Sequence, residues 1–537
     1  MRNLFITAFF GSVLLLGACS QKESTPQRPN IIFIMSDDHA YQAISAYDDK
    51  LIQTPNIDRI AEEGMIFTNA CVSNSICAPS RATILTGKHT HIHGKIDNNF
   101  PFDTTNVTFP QLLHDAGYQT AMFGKLHFGN NPKGFDEFKI LPGQGDYYNP
   151  DFITNNGDTT IQGYVTDVIT DLAIDWMDNR RKEDKPFLMM YLHKAPHREW
   201  YPAERHYKEF TKKTFPEPET LFDDYKGRGT AAKEAEMNLL KHMTVSADNK
   251  IYPELAKDLG VEEMSEWGFN VFKSKYARFT DEQKAKWDAV YGPINEEFAK
   301  LYPTMSDSAF MRWKYQRYMQ DYLGCIAAVD ENVGRLLDHL KEQGLDENTI
   351  VVYTSDQGFY LGEHGWFDKR FIYNESFKTP LLVKWPGKIA PGSVSDEMVQ
   401  NLDFAQTFLE AAGIEAPSDM QGESLIPLLV GDTASWTRDA VYYHYYEYPG
   451  FHMVKRHYGI VTTDFKLAHF YYDIDEWELY DRKKDPLELN NVYDDPAYAD
   501  VVTALTKQLQ DLRVQYKDSD ELDRKFIQKY KDKGLIK

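Results

Sequence analysis

Three continuous apolar runs, each followed by polar side chains, place the strongest limit on how this chain can fold. The runs are Asn30–Met35, Pro186–Leu192 and Thr349–Thr354. They do not alternate polar and apolar residues, which is typical of strands buried on both faces of a parallel sheet. Ligands of open α/β sheets bind beyond the carboxyl ends of the strands. The side chains that follow these runs are Asp37, Asp38, His197, Asp356 and Gln357. The pattern predicts one site assembled from three strand ends.

Helical patterns between the runs complete the predicted fold. Apolar residues recur at helical spacing over residues 315–344, and Gly344 supplies a C-terminal stop. Strands that alternate with such helices indicate an α/β fold, with a large mixed, mainly parallel sheet flanked by helices. We expect the main domain at residues 30–435, with a helical insertion at 203–311 that is rich in Glu, Lys and Ala.

The C-terminal part of the chain predicts a smaller α+β subdomain at residues 436–537. It begins with a segment dense in Tyr and His. Short strand-like runs follow at 458–463, 466–472 and 477–481, and a helical pattern follows at 498–516. Several short strands close together indicate an antiparallel sheet, here with one helix.

The acidic charge balance excludes one class of partner. The 537 residues include 59 Lys and Arg against 81 Asp and Glu, which gives a formal net charge of −22. A surface of this charge repels polyanions, so we expect no nucleic acid partner.

The N-terminal segment predicts export and a lipid anchor. Arg2 precedes an apolar stretch that is too short to span a membrane. The run Leu16-Gly17-Ala18-Cys19 resembles the bacterial lipoprotein box. We expect a signal peptide at 1–18, lipidation of Cys19 and a flexible tether at 19–29. The protein would then be anchored in the bacterial envelope, in the periplasm or on the outer surface. An ordinary cleaved signal with an incidental Cys is the alternative.

Cys77 begins a segment with an unusual composition, Cys77-Ala78-Pro79-Ser80-Arg81, which continues to Thr86-Gly87. The early Pro and the apolar pattern beyond it predict that Cys77 lies at a helix N-terminus, where free amides and the helix dipole favour an anion. A cysteine considered by itself is more often a small buried apolar side chain.

This segment resembles the signature of the type I sulfatases of the alkaline phosphatase superfamily, Cys-X-Pro-X-Arg followed by Thr-Gly. The resemblance covers most of residues 30–515. It implies that a maturation enzyme oxidises Cys77 to formylglycine, whose hydrated aldehyde is the nucleophile. Cys71 and Cys325 are left either paired or as buried free thiols, and we favour free thiols.

The resemblance also implies a Ca²⁺ site and a set of catalytic side chains. The implied calcium ligands are Asp37, Asp38, Asp356, Gln357 and the modified Cys77, with Gln357 in place of the Asn of many relatives. The implied catalytic residues are Cys77, Arg81, Lys125, His127, His197 and Lys378. A sulfate ester repels nucleophiles, so its hydrolysis needs a cation and fixed donors around the sulfuryl oxygens.

The resemblance implies the following role for each of these residues. Arg81 orients the nucleophile and binds sulfate, and Lys125 contacts both groups. His127 takes a proton when sulfate is expelled. His197 and Lys378 protonate the leaving alcohol or hold its oxygen.

Other strings resemble those of bacterial carbohydrate sulfatases that remove the 6-O-sulfate of N-acetylglucosamine from heparan-type or mucin-type glycans. On this resemblance the sugar-binding candidates are His39, Asp368, Arg370 and His457. The alternatives are another carbohydrate sulfatase, specific for N-acetylgalactosamine 6-sulfate or a 2-O-sulfate, or a phosphoester or phosphonate monoester hydrolase of the same superfamily. A non-catalytic glycan-binding lipoprotein is a further alternative. The net charge favours terminal sugars in a small electropositive pocket over a long sulfated polymer.

Overall fold

The computed structural model describes residues 28–261 and 266–536. Cys19, the predicted signal peptide at 1–18 and most of the predicted tether therefore lie outside the described residues. Within residues 28–261 and 266–536, no helix has both the length and the apolar character needed to cross a membrane.

The strands, numbered in chain order, are β1 (Asn30–Ser36), β2 (Met65–Phe67), β3 (Ala70–Cys71), β4 (Gln119–Lys125), β5 (Glu137–Leu141), β6 (Asp151–Thr154), β7 (Gly157–Thr160), β8 (Phe187–Leu192), β9 (Thr349–Ser355), β10 (Tyr360–Leu361), β11 (Phe367–Asp368), β12 (Leu381–Lys384), β13 (Ser393–Ser395), β14 (Val399–Gln400), β15 (Ala440–Tyr445), β16 (His457–Thr462), β17 (Phe465–Phe470) and β18 (Glu476–Asp481).

The α-helices are α1 (Pro55–Glu62), α2 (Cys77–Thr86), α3 (Thr90–His93), α4 (Phe109–Asp115), α5 (Val165–Asn179), α6 (Tyr207–Phe210), α7 (Thr230–Glu234), α8 (Leu239–His242), α9 (Pro253–Asp258), α10 (Trp267–Ala277), α11 (Asp281–Leu301), α12 (Asp307–Glu342), α13 (Asn374–Phe377), α14 (Asp403–Ala411), α15 (Ile426–Leu429), α16 (Ala499–Gln515) and α17 (Asp520–Asp532).

Ten strands form the central sheet in the order β13-β2-β12-β9-β1-β8-β4-β5-β6-β7. Its middle strands, β9, β1, β8, β4 and β5, are parallel to one another, whereas β12, β6 and β7 make antiparallel pairs toward the edges. The expected mixed, mainly parallel sheet is confirmed, and the three predicted strands are β1, β8 and β9. Strand β4 lies beside them and was not predicted.

Strand β1 explains why the apolar runs lack alternation. Ile32 and Ile34 point into one core, with helices α1, α5 and α12, whereas Ile31 and Phe33 point into the other, with α2, α4 and α14. All four side chains are fully buried. Burial of such a side chain stabilises the fold by about 1.5–3 kcal/mol. Both faces of the strand must therefore be apolar.

The C-terminal part contains a four-stranded antiparallel sheet in the order β15-β16-β17-β18. Helix α16 packs on it through Leu505 and Leu509. The sequence analysis expected one helix, and the structure has a second, α17, whose Tyr530 packs with Ile96 and Phe100 of the main domain. The described residues between 203 and 311 contain helices and no strand. The domain boundary at 435 stays a prediction.

Cys71, Cys77 and Cys325 are buried free thiols. The expectation that Cys71 and Cys325 are unpaired is confirmed, since they pack in two different cores.

Candidate active site

The carboxyl ends of four neighbouring parallel strands meet at one edge of the sheet. The ends of β9, β1, β8 and β4 carry, in that order, Asp356 and Gln357, Asp37 and Asp38, His197, and Lys125. Parallel register aligns these ends because Met35 on β1 pairs with both Thr354 and Leu192. The topology therefore brings together side chains that are far apart in the chain, as the hydrogen bond between Asp38 and Asp356 shows with a separation of 318 residues.

Helix α2 brings Cys77 to the same place. Cys77 is the first residue of the helix and is fully buried. Its Sγ lies 3.5 Å from Asp37 Oδ1 and 3.7 Å from Gln357 Nε2. The dipole of the ten-residue helix favours negative charge at this end.

The Thr-Gly that follows Cys77 in the sequence motif ends the helix. Gly87 has φ +63°, and a Cβ there would lie 2.8 Å from Gln406 Oε1. Glycine adopts this left-handed backbone without strain, whereas a larger residue would be strained and would also displace the Gln406 side chain.

Three basic side chains bind the three carboxylates of the cluster. The Arg81 guanidinium lies one turn beyond Cys77, and its Nη2 and Nε atoms lie 2.9 Å from Asp37 Oδ2 and Asp356 Oδ2 respectively. Lys125 Nζ contacts Asp37. Lys369 Nζ lies 2.7 Å from Asp38 Oδ1. These six groups are buried, so their charges interact with little screening by solvent.

The three carboxyl groups respond differently to this environment. Burial would raise the pKa of Asp37, but Lys125 and Arg81 outweigh burial and hold it well below its usual range. Burial raises the pKa of Asp38 to about 7, although Lys369 opposes this, and the neighbouring Asp37 and Asp356 add to the rise. Burial and the charge of Asp37 also raise the pKa of Asp356. The basic groups therefore do not fully stabilise the charged forms of Asp38 and Asp356.

Asp37, Asp38 and Asp356 form a set that could hold a cation. Each offers a carboxylate oxygen, and these oxygens lie within 4.8 Å of one another. Gln357 Oε1 is buried and has no hydrogen-bond partner among the described residues. Carboxylate and amide oxygens are the ligands that Ca²⁺ takes. The four predicted oxygen ligands are therefore brought together, with Cys77 next to them.

His197 and His127 flank this cluster. His197 Nε2 lies 3.7 Å from Asp38 Oδ2, while its Nδ1 lies 2.5 Å from the Arg198 carbonyl oxygen, which fixes Nδ1 as a donor. Burial, and secondarily the charge of Lys125, lowers the pKa of both histidines well below its usual value. His127 Nδ1 is buried without a hydrogen-bond partner among the described residues. Both rings are neutral and can exchange protons with a bound group.

The structure places Lys378 outside this cluster. Its Nζ lies 5.0 Å from the centre of the Tyr41 ring, and its pKa is lowered by burial and by Arg482. Lys369, and not Lys378, contacts the carboxylates of the cluster. Burial would lower the pKa of Lys369, but Asp38 and Cys77 raise it well above its usual value. A sequence signal for Lys369 was its position between Asp368 and Arg370, which were already candidates.

Asp368 and Arg370 lie beside Lys369. Asp368 Oδ1 accepts a hydrogen bond from Arg370 Nε at 3.0 Å, and Arg370 Nη1 lies 2.8 Å from Glu447 Oε1. His452 Nε2 lies 3.3 Å from Asp368 Oδ2. The pair is therefore held rigidly at the edge of the cluster. His452 and Glu447, which the sequence analysis missed, support it from the C-terminal part of the chain.

The structure does not bring His39 and His457 to the site surface. Both are fully buried. His39 Nδ1 lies 2.6 Å from the Tyr353 hydroxyl, and its Nε2 lies 3.0 Å from the Ala43 carbonyl oxygen. His457 Nε2 accepts from the Ile372 amide at 3.1 Å, and its Nδ1 lies 2.8 Å from the Lys455 carbonyl oxygen. Because both ring nitrogens of each histidine have protein partners, neither ring has a nitrogen left to contact a sugar.

Several residues in and around the candidate site have a strained backbone. Non-glycine residues with positive φ include Asp38 (66°), His127 (65°), Asp368 (77°), Arg370 (97°) and His452 (68°). A left-handed conformation is unfavourable for such residues and persists where the surrounding structure imposes it, most often at functional sites.

Two family models match the chain. The model described as Sulfatase matches residues 29–414, and the model described as N-sulphoglucosamine sulphohydrolase, C-terminal, matches residues 362–515.

Relatives and solved structures agree with these models. An N-acetylglucosamine-6-O-sulfatase of Bacteroides thetaiotaomicron is 50% identical over 532 residues, which are 98% of this chain and 93% of that protein. The human N-acetylglucosamine-6-sulfatase is 27% identical over 460 residues, 80% of this chain and 70% of that protein. A solved structure described as a complex with its substrate D-glucosamine-2-N,6-O-disulfate has 50% identity and a TM-score of 0.87, and the match covers 92% of this chain and 99% of that one.

Proposed function

The chain belongs to the sulfatase family, with an alkaline phosphatase-like fold, and on that premise we propose that it removes the 6-O-sulfate of N-acetylglucosamine at the ends of glycans. The main observation that supports this reaction is the position of Cys77, which is buried between Asp37 and Gln357 at the N-terminus of α2. The 50% identical relative, named for this substrate, supports the sugar and the sulfate position.

A divalent cation, which we propose is Ca²⁺, fits Asp37, Asp38, Asp356 and Gln357. The three carboxylates are matched in number by Arg81, Lys125 and Lys369, so a dication would give the pocket a positive surplus. A sulfate monoester is an anion and would offset that surplus. When bound, the cation supplies Lewis acidity toward the sulfuryl oxygens and the nucleophile.

The unmodified Cys77 is a poor nucleophile in this setting. Burial, and then the charge of Asp37, raises the pKa of its thiol, so the reactive thiolate is disfavoured. Conversion of Cys77 to formylglycine, by a maturation enzyme, supplies a hydrated aldehyde whose hydroxyl can attack sulfur. Because Cys77 is fully buried in the folded chain, the Cys77 side chain must be reached before folding is complete.

The other side chains bind the ester and move protons. Lys125, Lys369 and Arg81 hold the sulfuryl oxygens and the nucleophile. The neutral His197 ring keeps its proton on Nδ1, which donates to the Arg198 carbonyl oxygen, so Nε2 accepts the proton that the attacking hydroxyl loses and passes it to the leaving oxygen. A buried imidazolium with a lowered pKa releases its proton readily, which suits a general acid. His127, with Nδ1 free of protein partners among the described residues, accepts the proton that accompanies sulfate release.

Asp368 and Arg370 are the residues that we propose recognise the sugar. Their carboxylate and guanidinium groups lie next to Lys369 and are held by His452 and Glu447. Fixed polar groups of this kind discriminate between hydroxyl positions because a wrong hydroxyl leaves a buried group unpaired.

Desulfation of three sulfated monosaccharides, compared in parallel, tests the substrate. N-acetylglucosamine 6-sulfate should exceed N-acetylgalactosamine 6-sulfate and glucosamine 2-sulfate in kcat/KM by about tenfold or more, since a misplaced hydroxyl or sulfate loses at least one charged hydrogen bond. Equal or reversed rates would contradict the proposed specificity. An aryl phosphate in the same assay tests the phosphoester alternative.

Cys77→Ser tests the nucleophile in protein made with its maturation enzyme. Turnover should be abolished, and mass spectrometry of the wild-type peptide that contains residue 77 should show formylglycine. Cys71→Ser is the matched control because Cys71 is another buried thiol but packs away from the cluster. Full activity of Cys77→Ser would contradict the mechanism.

We also propose that the protein is a lipoprotein of the bacterial envelope, anchored through Cys19. Membrane fractions of cells fed a labelled fatty acid should contain the labelled wild type. Cys19→Ala should lose the label and leave the membrane fraction, and a labelled Cys19→Ala protein would contradict the anchor.

A further inference from the structure

We infer that a cavity beside the reaction centre is a subsite for the sugar unit that is linked to the sulfated sugar. This inference rests on the proposed function and extends it to the length of the glycan that the enzyme prefers. The cavity has a volume of 390 Å³, and its walls include Arg198, His242, Thr244, Trp267, Phe451 and His452. We call it the side cavity.

Two contacts join the wall of the side cavity to the reaction centre. Arg198 directly follows His197 in the chain, and its carbonyl oxygen holds the His197 ring. On the other side, His452 Nε2 lies 3.3 Å from Asp368 Oδ2, and Asp368 directly precedes Lys369. A glycan whose sulfated sugar lies against His197, Lys369 and Asp368 therefore has its next unit within reach of the side cavity.

The charges of the wall, which also includes the Glu236 carboxylate, suit an uncharged ring better than a second sulfate group. Arg198 makes two hydrogen bonds to Asp248, Nε to Oδ1 at 2.7 Å and Nη2 to Oδ2 at 2.6 Å, so its charge is neutralised within the protein. Burial lowers the pKa of His242 to about 4 and also lowers that of His452, so both rings are neutral at pH 7.

Aromatic side chains give the side cavity faces on which a sugar ring can stack. Phe451 is 51% exposed. Its ring centre lies 6.1 Å from that of Trp267, at an interplanar angle of 58°. The Arg198 guanidinium carbon lies over both rings, 4.7 Å from the Trp267 ring centre and 5.9 Å from the Phe451 ring centre, so a pyranose would stack on the surface that each ring leaves exposed. Such contacts add affinity beyond the area that they bury.

His242 supplies a directed polar contact in the same wall. Its Nδ1 accepts a hydrogen bond from the Asn238 amide at 3.0 Å, so the proton of the neutral ring is on Nε2. Nε2 can then donate to a sugar hydroxyl. A few fixed donors among apolar faces are typical of a small-molecule site, and here they match a neutral sugar.

Paired substrates test the side cavity. The probes are N-acetylglucosamine 6-sulfate and a disaccharide that carries the same sulfated sugar at its non-reducing end. The wild type should prefer the disaccharide in kcat/KM by about fivefold to tenfold, and Phe451→Ala and Trp267→Ala should each reduce the disaccharide-to-monosaccharide ratio by about threefold to tenfold. Phe451→Tyr, which keeps the stacking face, should preserve the ratio.

Phe222→Ala is the matched control, because Phe222 is 45% exposed and lies outside the side cavity. It should leave the ratio unchanged. The subsite would be contradicted if the wild type showed no preference for the disaccharide. It would also be contradicted if Phe451→Ala and Trp267→Ala lowered kcat/KM equally for both substrates. Wild-type turnover of the monosaccharide tests the proposed function separately, since that measurement does not depend on Phe451 or Trp267.

Discussion

Two buried clusters of ionisable side chains lie in different parts of the molecule. One is the reaction-centre cluster of Asp37, Asp38 and Asp356 at the carboxyl ends of β1 and β9. The other, which we call the C-terminal cluster, consists of His444 on β15 with Asp518 and Asp523 near the start of α17. Each contains three side chains whose ligand atoms lie within 4.8 Å of one another. By residue type alone, either could hold a metal ion.

The two clusters differ in how the charge is balanced. In the reaction-centre cluster, burial raises the pKa of Asp38 and Asp356, and the neighbouring carboxylates add to that rise. In the C-terminal cluster, burial would raise the pKa of Asp518, but His444, whose Nδ1 lies 2.7 Å away, outweighs burial and holds it well below its usual range. Burial does raise the pKa of Asp523, although His444 opposes the rise. The Tyr442 hydroxyl also donates to Asp518, at 2.5 Å.

This difference separates a functional site from a structural one. Unbalanced buried carboxylates are unfavourable for folding and persist where an external ion or substrate completes them. A cluster whose groups satisfy one another is complete in the folded protein, and it fastens the C-terminal segment to the rest of the chain.

The largest expected effect separates Lys369 from Lys378. Lys369→Met should lower kcat/KM about a thousandfold, because Lys369 is a buried cation aimed at the reacting group. Lys378→Met is the matched control and should change kcat/KM no more than about threefold, since Lys378 contacts Tyr41 instead. Steady-state kinetics on the sulfated monosaccharide measures both. Equal losses in the two variants would contradict the placement of Lys369.

Removal of the cation should destabilise the protein through the reaction-centre cluster. If free calcium exceeds the dissociation constant about a thousandfold, its removal lowers the free energy of unfolding by about 4 kcal/mol. A chelator should therefore lower the Tm of the wild type, and added Ca²⁺ should restore it. The Tm shift should shrink in Asp356→Asn and persist in Asp518→Asn. A chelator shift that disappears in Asp518→Asn alone would place the ion in the C-terminal cluster.

Sequence patterns predicted those strands and site residues in which polar side chains directly follow a buried apolar run. Asp37, Asp38, Asp356 and Gln357 directly follow buried apolar runs, so the topology of a parallel sheet was enough to group them. Lys125 and His127 came from a motif, and their strand β4 was missed because Gln119–Lys125 includes Gln, Thr and Gly among its apolar residues.

Sequence patterns could not predict the contacts that depend on how distant parts of the chain pack together. Lys369 and Lys378 are close together in one polar stretch, and only the path of the loop between β11 and α13 decides which one faces Asp38. His39 and His457 were selected as sugar contacts, but both ring nitrogens of each are bonded within the protein. The contribution of Glu447 and His452 depends on how the C-terminal sheet packs, which no local pattern specifies.

Asp518→Asn should destabilise the fold without changing the chemistry. It removes the carboxylate that pairs with His444 and accepts from Tyr442, and loss of one partner of a buried ion pair lowers the free energy of unfolding by about 3 kcal/mol. Denaturant unfolding measures this, and kcat/KM on the monosaccharide should stay within about twofold at about 25 °C. Asp520→Asn is the control, because the Asp520 side chain is 71% exposed. A large loss of turnover in Asp518→Asn would show that the C-terminal cluster affects the reaction, and it would contradict the division between a functional and a structural cluster.

The smallest expected effect concerns pH, and it arises from His93 between the two clusters. His93 Nε2 lies 3.1 Å from Thr83 Oγ1 on α2, and its Nδ1 accepts from the Lys95 amide at 3.2 Å. Burial lowers the pKa of His93 to about 3, so the folded state favours the neutral ring. The stability that His93 contributes is therefore present above about pH 6.5, the unfolded value, and is lost as the pH falls from there toward 3.

For His93 alone, this pKa shift lowers the free energy of unfolding by about 2 kcal/mol between about pH 7 and pH 5. His93→Gln keeps a donor and an acceptor without the titration, so its free energy of unfolding should fall less over that range than that of the wild type. His114→Gln is the control, because the His114 side chain is 42% exposed. If His93→Gln and the wild type lose equal stability, the acid sensitivity must come from other buried histidines, such as His89 and His91 beside Asp518. That result would contradict the proposal that protonation of His93, next to α2, destabilises the fold at low pH.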